Sequence, residues 1–107
     1  MTWTVEVIPQ AEAELQANPP DIRARFLHIA GLLQDFGPQH VGMPHVRPLE
    51  GKLWEMRMTG RDGIARAVYV ARVGQRLTVL HVFSKKTQKT PRRAIETALE
   101  RMKRLDP

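Results

Sequence analysis

The ten residues from Ser84 to Arg93, SKKTQKTPRR, carry Lys85, Lys86, Lys89, Arg92 and Arg93 with no acid among them, and they lead into a segment of helical periodicity. A helix N-terminus bears about half a positive charge, so an exposed cation in its first turn is unfavourable by a few tenths to about 1 kcal/mol. Arg92 and Arg93 break that rule. A local rule broken without a packing gain points to a functional site, and the free amides of the helix start add to the side chains in attracting an anion. A solvated basic loop is the plainer reading of the same residues. Two further arginines bear on the choice. Arg66 interrupts the apolar run GIARAVYVAR on the side of Ile64, Val68 and Val70. A permanent charge there needs either a core acid such as Glu55 or an opening onto an anion. Both remain open from the sequence. Arg57 lies on the polar side of KLWEMRMT, in the preceding strand.

These cations belong to a chain of 107 residues with a formal charge of +6 and no cysteine. Disulfide frameworks, thiolate metal sites and cysteine nucleophiles are thereby excluded. Residues 1–51 hold three Lys and Arg against six acids, a net of −3, whereas residues 52–107 hold fourteen against five, a net of +9. Such asymmetry favours a basic face and a polyanionic partner. The length suits one domain, 1–107, with a single core. No run of 18 apolar residues is present, and MTWTVEVIPQ lacks the basic and apolar regions of a secretory signal, so the expected location is the cytoplasm with no membrane partner.

The elements that must position the cations follow from periodicity. WTVEVI (Trp3 to Ile8) alternates as a strand, with Trp3, Val5 and Val7 on one side. AEAELQAN reads as a helix stopped by Asn18-Pro19-Pro20. Asp21 then caps IRARFLHIAGLLQDFG, whose Ile22, Phe26, Ile29, Leu32, Leu33 and Phe36 recur at helical spacing. Gly37 to Gly51, dense in Gly and Pro, reads as an ordered loop. Three strands follow, KLWEMRMT, GIARAVYVAR and RLTVLHVF, joined by short turns at Gly60 to Gly63 and at Gly74-Gln75. Thr90 caps a last helix with Pro91 at its first position and a stripe of Ile95, Ala98, Leu99, Met102 and Leu105. The predicted fold is α+β, in the order βααβββα, an antiparallel sheet with an N-terminal helical hairpin and a C-terminal helix.

The run from Lys52 to Met102, with LWEMR, ARAVY and VLHVFSKKTQKTP, resembles the phage Gp49-like and HigB-like branch of the RelE/ParE toxin superfamily. The third motif is the most specific, an apolar strand running into Lys-Lys and, after three residues, Thr-Pro at a helix start. The first half of the chain is similar by architecture. The resemblance implies the toxin of a type II toxin–antitoxin system, a ribosome-dependent mRNA endonuclease, or mRNA interferase, acting in the ribosomal A site. It also implies a cognate antitoxin, HigA-like with a helix-turn-helix domain, and the ribosome as partners, with no cofactor and no metal. Carried over by position, Arg57 matches the basic residue closing the LWELR-like strand, Arg66 the arginine of the next, and Lys85 and Lys86 the cations after the last strand.

Those four are the expected catalytic residues. Attack of a 2′-hydroxyl on the adjacent phosphate needs a proton acceptor, stabilisation of a doubly charged phosphorane-like state and help for the leaving 5′-oxygen. Arg57 and Arg66 suit the phosphate clamp, and Lys85 or Lys86 the proton transfer. Lys52, Arg61, His81, Lys89, Arg92 and Arg93 are the expected RNA-binding residues, contacting phosphates without reading sequence. Arg66→Ala is accordingly expected to abolish cleavage with the fold retained. Ala65 stands where the family has an aromatic, and no tyrosine or histidine follows His81, so no general base is assigned. Tyr69, Trp3 and Trp54 read as core, and His28, His40 and His45 show no zinc-ligand spacing. The alternative function is a non-nucleolytic toxin or binder, a ParE-like DNA gyrase inhibitor or a basic module docking RNA or protein.

Overall fold

The computed structural model describes residues 2–42, 45–84 and 89–105. Their order is β1 (Thr4–Val7), α1 (Pro9–Gln16), α2 (Pro20–Phe36), β2 (Val46–Glu50), β3 (Leu53–Thr59), β4 (Ile64–Arg72), β5 (Arg76–Ser84) and α3 (Arg92–Lys103). The fold is α+β as expected, with two differences in the sheet. Val46–Glu50, expected within a loop, is a strand. It pairs antiparallel with β3 at an edge of the sheet, with an irregularity between Pro48 and Glu50. An edge is where a proline, lacking an N–H, can sit in a strand. The sheet is also mixed, in the order β1-β5-β4-β3-β2, because β1 runs parallel to β5 with Thr4 opposite Arg76 and Val7 opposite Val79. The other pairings are antiparallel. Three residues, Val73 to Gln75, connect the paired Arg72 and Arg76 at the β4–β5 turn, and Gly74 and Gln75 both take positive φ, 84° and 57°.

Prolines set the helix starts. Pro20 occupies the first turn of α2 with Pro19 at the N-cap position, so Asp21 is not the cap that the sequence suggests. Its carboxylate instead accepts from the Ile22 amide at 3.0 Å and from the Arg61 amide at 2.5 Å, tying the β3–β4 turn to the helix start. Gly60 makes that approach feasible, since a Cβ there would come within 2.6 Å of Ile22 Cδ1 and 2.8 Å of Asp21 Oδ2. Phe36, expected in the buried stripe of α2, is 60% exposed. The indole of Trp3 lies against Gly37 and covers the helix end in its place.

The two faces of the sheet are buried differently. Met56, Met58, Ala65, Ala67, Tyr69, Leu77, Val79 and Val82 pack against Ala11 and Leu15 of α1 and Ile22, Phe26, Ile29 and Leu33 of α2. On the opposite face Leu53, Val68, Val70 and Leu80 meet Ile95 and Ala98 of α3, with Leu99, Met102 and Leu105 partly buried beside them. The α3 stripe read from the sequence is therefore the one used. Along β3 this second face grades from buried Leu53 and Glu55 through half-buried Arg57 to exposed Thr59. The half of it beyond α3 is where the cations emerge.

A bulge in β5 decides which of its side chains reach that half. Val68 pairs with His81 but Tyr69 with Val79, so Leu80 is an extra residue. Simple alternation would send His81 and Phe83 to the α1–α2 side with Leu77 and Val79. One inserted residue switches them to the α3 side. His81 stacks on Phe83, with ring centroids 5.0 Å apart, and its Nδ1 meets Glu14 Oε1 at 3.0 Å. The same carboxylate oxygen accepts from the Val82 amide at 3.0 Å and from Arg101 Nη1 at 2.9 Å. Arg101 also donates to the Leu80 carbonyl at 3.0 Å. Glu14 thus joins α1, the bulged part of β5 and α3.

Burial pushes the Glu14 carboxyl up, but donation from Arg101, the Val82 amide and His81 outweighs it and holds the group below the ordinary glutamate range. A carboxyl lowered by folding stabilises the fold above its unfolded pKa, and that contribution fades as pH falls through the folded value. Wild type is therefore expected to melt higher than Glu14→Gln at pH 7, with the gap closing as pH drops below the glutamate range. Melting temperatures measured across pH 3–7 check this, and a gap that stays constant over that range counts against the Glu14 junction.

Candidate active site

One acid organises the cations. Glu55, 1% exposed, accepts through Oε1 from Arg66 Nη1 at 2.8 Å and from Arg47 Nε at 3.0 Å. Its Oε2 accepts from the hydroxyl of buried Thr90. Of the two readings of Arg66 open in the sequence, pairing with the core acid Glu55 is the one seen, and Arg66 is only 3% exposed. Thr90 is not a helix cap either. Pro91 takes that position, with no side-chain bond to the helix amides. The Thr90 hydroxyl ties the α3 start to β3 instead, and a second tie runs from Arg92 Nη1 to Glu50 Oε1 of β2 at 2.6 Å.

Those ties account for the cation at the positive end of a helix. Arg92 lies between Glu50 and, at 3.7 Å, Glu96, and the Glu50 carboxylate raises its pKa further. Its position is thus explained by anchoring, which differs from the docking role expected of it. Arg93 has a different setting, on a groove of α3 with Glu96, Thr97, Glu100, Arg101 and Arg104. Lys89 is exposed. Lys85 and Lys86, the two lysines expected in the catalytic set, lie outside the described residues.

Arg57 and Arg66 come together as the sequence expects, opposite each other in the β3–β4 register, with Phe83 next to Arg66 on β5. Like charges directly opposite are unfavourable, and Glu55, next along the same face of β3, offsets this on the Arg66 side. Arg57 is different. Its Nε is buried and has no hydrogen-bond partner among the described residues, a state that costs about 1–3 kcal/mol when it persists. Its side chain lines a cleft of about 210 Å³ with Arg25, His45 and Thr59. Arg25, from the acidic half of the chain, and His45, from the Gly/Pro stretch, carry no sequence signal for this position.

The remaining expected RNA ligands are spread. Arg61 is exposed on the β3–β4 turn, at the Arg57 end of the sheet. Lys52 is exposed on the β2–β3 turn, five residues before Arg57, or about 17 Å along an extended strand, and does not join the cluster. His81, expected to reach RNA, is held by Glu14 and is 15% exposed. No three His, Asp or Glu side chains come together among the described residues as a metal ion requires.

Comparison with known proteins fits this arrangement. The family model for phage-derived protein Gp49-like matches residues 13–103. The chain belongs to this Gp49-like family of RelE/ParE-type toxins. The "Probable endoribonuclease HigB1" of Mycobacterium tuberculosis is 30% identical, with 95% of this chain and 82% of that protein covered. Among solved structures, a mutant of the E. coli toxin RelE in its free state shares the Gp49-like chain's fold at a TM-score of 0.68 and 13% identity, over 95% of this chain and 99% of that one. The archaeal RelE–RelB complex of Pyrococcus horikoshii OT3 matches at 0.59 and 26% identity, over 78% of this chain and 96% of that one.

The Glu55 cluster has an energetic signature. Removing one member of a buried ion pair strands the other charge, at about 3–5 kcal/mol, whereas an exposed pair contributes at most about 1 kcal/mol. Glu55→Ala is expected to lower unfolding stability by about 3–5 kcal/mol, and Arg47→Ala, whose side chain is 39% exposed, by about 1 kcal/mol or less. Urea denaturation of both checks the contrast; equal losses would remove Glu55 from its place as the anchor.

Proposed function

We propose that this chain is the toxin of a type II toxin–antitoxin pair and an endoribonuclease that cleaves mRNA in the ribosomal A site. The observation that carries the reading is the half-buried guanidinium of Arg57. It has a donor with no acceptor among the described residues and lies opposite Arg66 on the half of the sheet face beyond α3 in a Gp49-like chain. In the reaction a 2′-hydroxyl loses its proton and attacks the adjacent phosphorus. The bond to the 5′-oxygen breaks, that oxygen takes up a proton, and a 2′,3′-cyclic phosphate remains. Charge builds on the non-bridging oxygens, and a fixed guanidinium stabilises it most in the crowded intermediate.

Arg57 is assigned to that contact. Arg66, screened and held by Glu55, adds positive potential behind it and keeps β3 and β4 in register for it. Lys85 and Lys86 are assigned to proton transfer, one to the leaving oxygen and, where neighbouring cations lower its pKa, one from the 2′-hydroxyl. Arg61, Lys89 and Arg93 supply flanking phosphate contacts whose strength falls with salt. The partners are the ribosome, its mRNA and a cognate HigA-like antitoxin; a ribosomal target sets the work in the cytoplasm. The Glu55 pair also changes which variant tests the reading. Arg66→Ala strands a buried carboxylate, so its loss of activity would not separate chemistry from folding.

Arg57→Ala separates them. It removes no ion pair found among the described residues and relieves the Arg57–Arg66 repulsion. The variant is expected to melt at or slightly above the wild-type temperature while cleavage falls by about a hundredfold or more and growth arrest is lost. Induced expression with mapping of RNA 5′ ends reads this out. Cleavage at the wild-type rate sinks the role of Arg57, and intact mRNA with altered plasmid supercoiling sinks the nuclease reading in favour of gyrase.

A further inference from the structure

The cleft that receives Arg57 lies where α2 passes the beginning of β2, and its other lining residues are Arg25, His45 and Thr59. Two permanent cations and an imidazole therefore share one small space with a hydroxyl and, among the described residues, no acid. Arg25 and Arg57 make no ion pair among the described residues. The arrangement contrasts with Glu55, one residue pair away on the same strand, where every cation in reach is matched to a carboxylate oxygen. Among the described residues, an anion is what the cleft lacks to balance its charge and to give the buried Arg57 Nε an acceptor.

The cleft is also built to hold its shape. The Arg57 amide donates to the His45 carbonyl at 2.8 Å, and the His45 amide donates to the Gly42 carbonyl at 3.0 Å, so the backbones carrying two of the ligands are bonded to each other. The His45 ring meets His28 of α2 edge to face, with centroids 6.2 Å apart at 75°. Arg25 stands on α2 three residues before His28, hence on the same helix side. A volume of about 210 Å³ is several times the ~30 Å³ share of one water molecule and admits a phosphate group with bound water.

We propose that Arg25, His45 and Thr59 complete, with Arg57, a binding site for one phosphodiester of the RNA strand. Arg25 and Arg57 grip its non-bridging oxygens, and His45 and Thr59 donate to the remaining acceptors. The four described lining side chains are polar, which suits a sugar–phosphate backbone better than the apolar anchor at the centre of a protein interface. The inference rests on the ribonuclease reading and adds three residues to it, two of them from the acidic half of the chain.

Arg25 is exposed on a helix, so Arg25→Gln keeps the fold. Arg76→Gln, at the opposite end of the sheet and paired with Glu6, makes the same charge change as a control. The probe is a labelled single-stranded oligoribonucleotide, followed by fluorescence anisotropy over a salt series. Arg25→Gln is expected to bind about tenfold more weakly, equally for A-rich and U-rich probes, and to lower the salt slope by about 0.7. Arg25→Lys is expected to recover part of both, and inorganic phosphate to raise the melting temperature of wild type but not of Arg25→Gln. If Arg25→Gln matches Arg76→Gln in affinity and slope, the site is overturned, and a simultaneous loss of antitoxin binding would assign the cleft to a protein carboxylate. Wild type that binds no probe even at low salt overturns it too. The ribonuclease reading is judged apart from both, by the mapped RNA ends.

Discussion

A single buried carboxylate, that of Glu55, is the constraint on which the arrangement of cations depends. A chain that gathers arginines on one sheet face works against its own folding, because charges of one sign repel and lose hydration together. Glu55 makes this possible by accepting from Arg66, Arg47 and Thr90, which come from β4, β2 and the approach to α3. The acid neutralises, and it also joins three segments distant in sequence. Where its reach ends, at Arg57, compensation among the described residues ends as well. The boundary between the folded core and the reactive surface is thus a boundary in charge pairing, drawn within two residues of one strand.

That division gives the two opposed arginines separate duties. Arg66 is a member of the framework, while Arg57 is held half out of it, with a donor that has no acceptor among the described residues. Unsatisfied groups are tolerated at working sites because the ligand satisfies them. The ties from Thr90 to Glu55 and from Arg92 to Glu50 serve the same end. They hold the start of α3 close to the sheet, so that the helix packs on the Leu53, Val68 and Val70 half of the second face.

How much of this could be read from the sequence depends on how local each signal was. The α3 stripe and the three central strands were legible because each is a periodic pattern within one segment. The pairing of Arg66 with Glu55 was legible as one of two options, since a buried charge admits few solutions. The β2 strand was hidden by Pro48 and the glycines around it, which mark a loop unless the strand is known to lie at an edge. The Leu80 bulge leaves no trace in composition, yet it alone sends His81 and Phe83 to the α3 side. Thr90 carried a cap signature and was drawn off by a carboxylate from another strand. Arg25 and His45 come from a stretch whose net charge is negative, and only the packing of α2 beside β3 brings them to Arg57.

The parallel pairing of β1 with β5 has a consequence for how the molecule comes into being. Thr4 to Val7 are synthesised some seventy residues before their strand partner, Arg76 to Val79. Contacts so distant in sequence carry a large loop-closure entropy and form late. Until β5 emerges, β1 has no strand to pair with, and the arginines of β3 and β4 have no finished surface on which to converge. A growing chain therefore carries no completed site until β5 and the segment that follows it have been made and have joined the sheet.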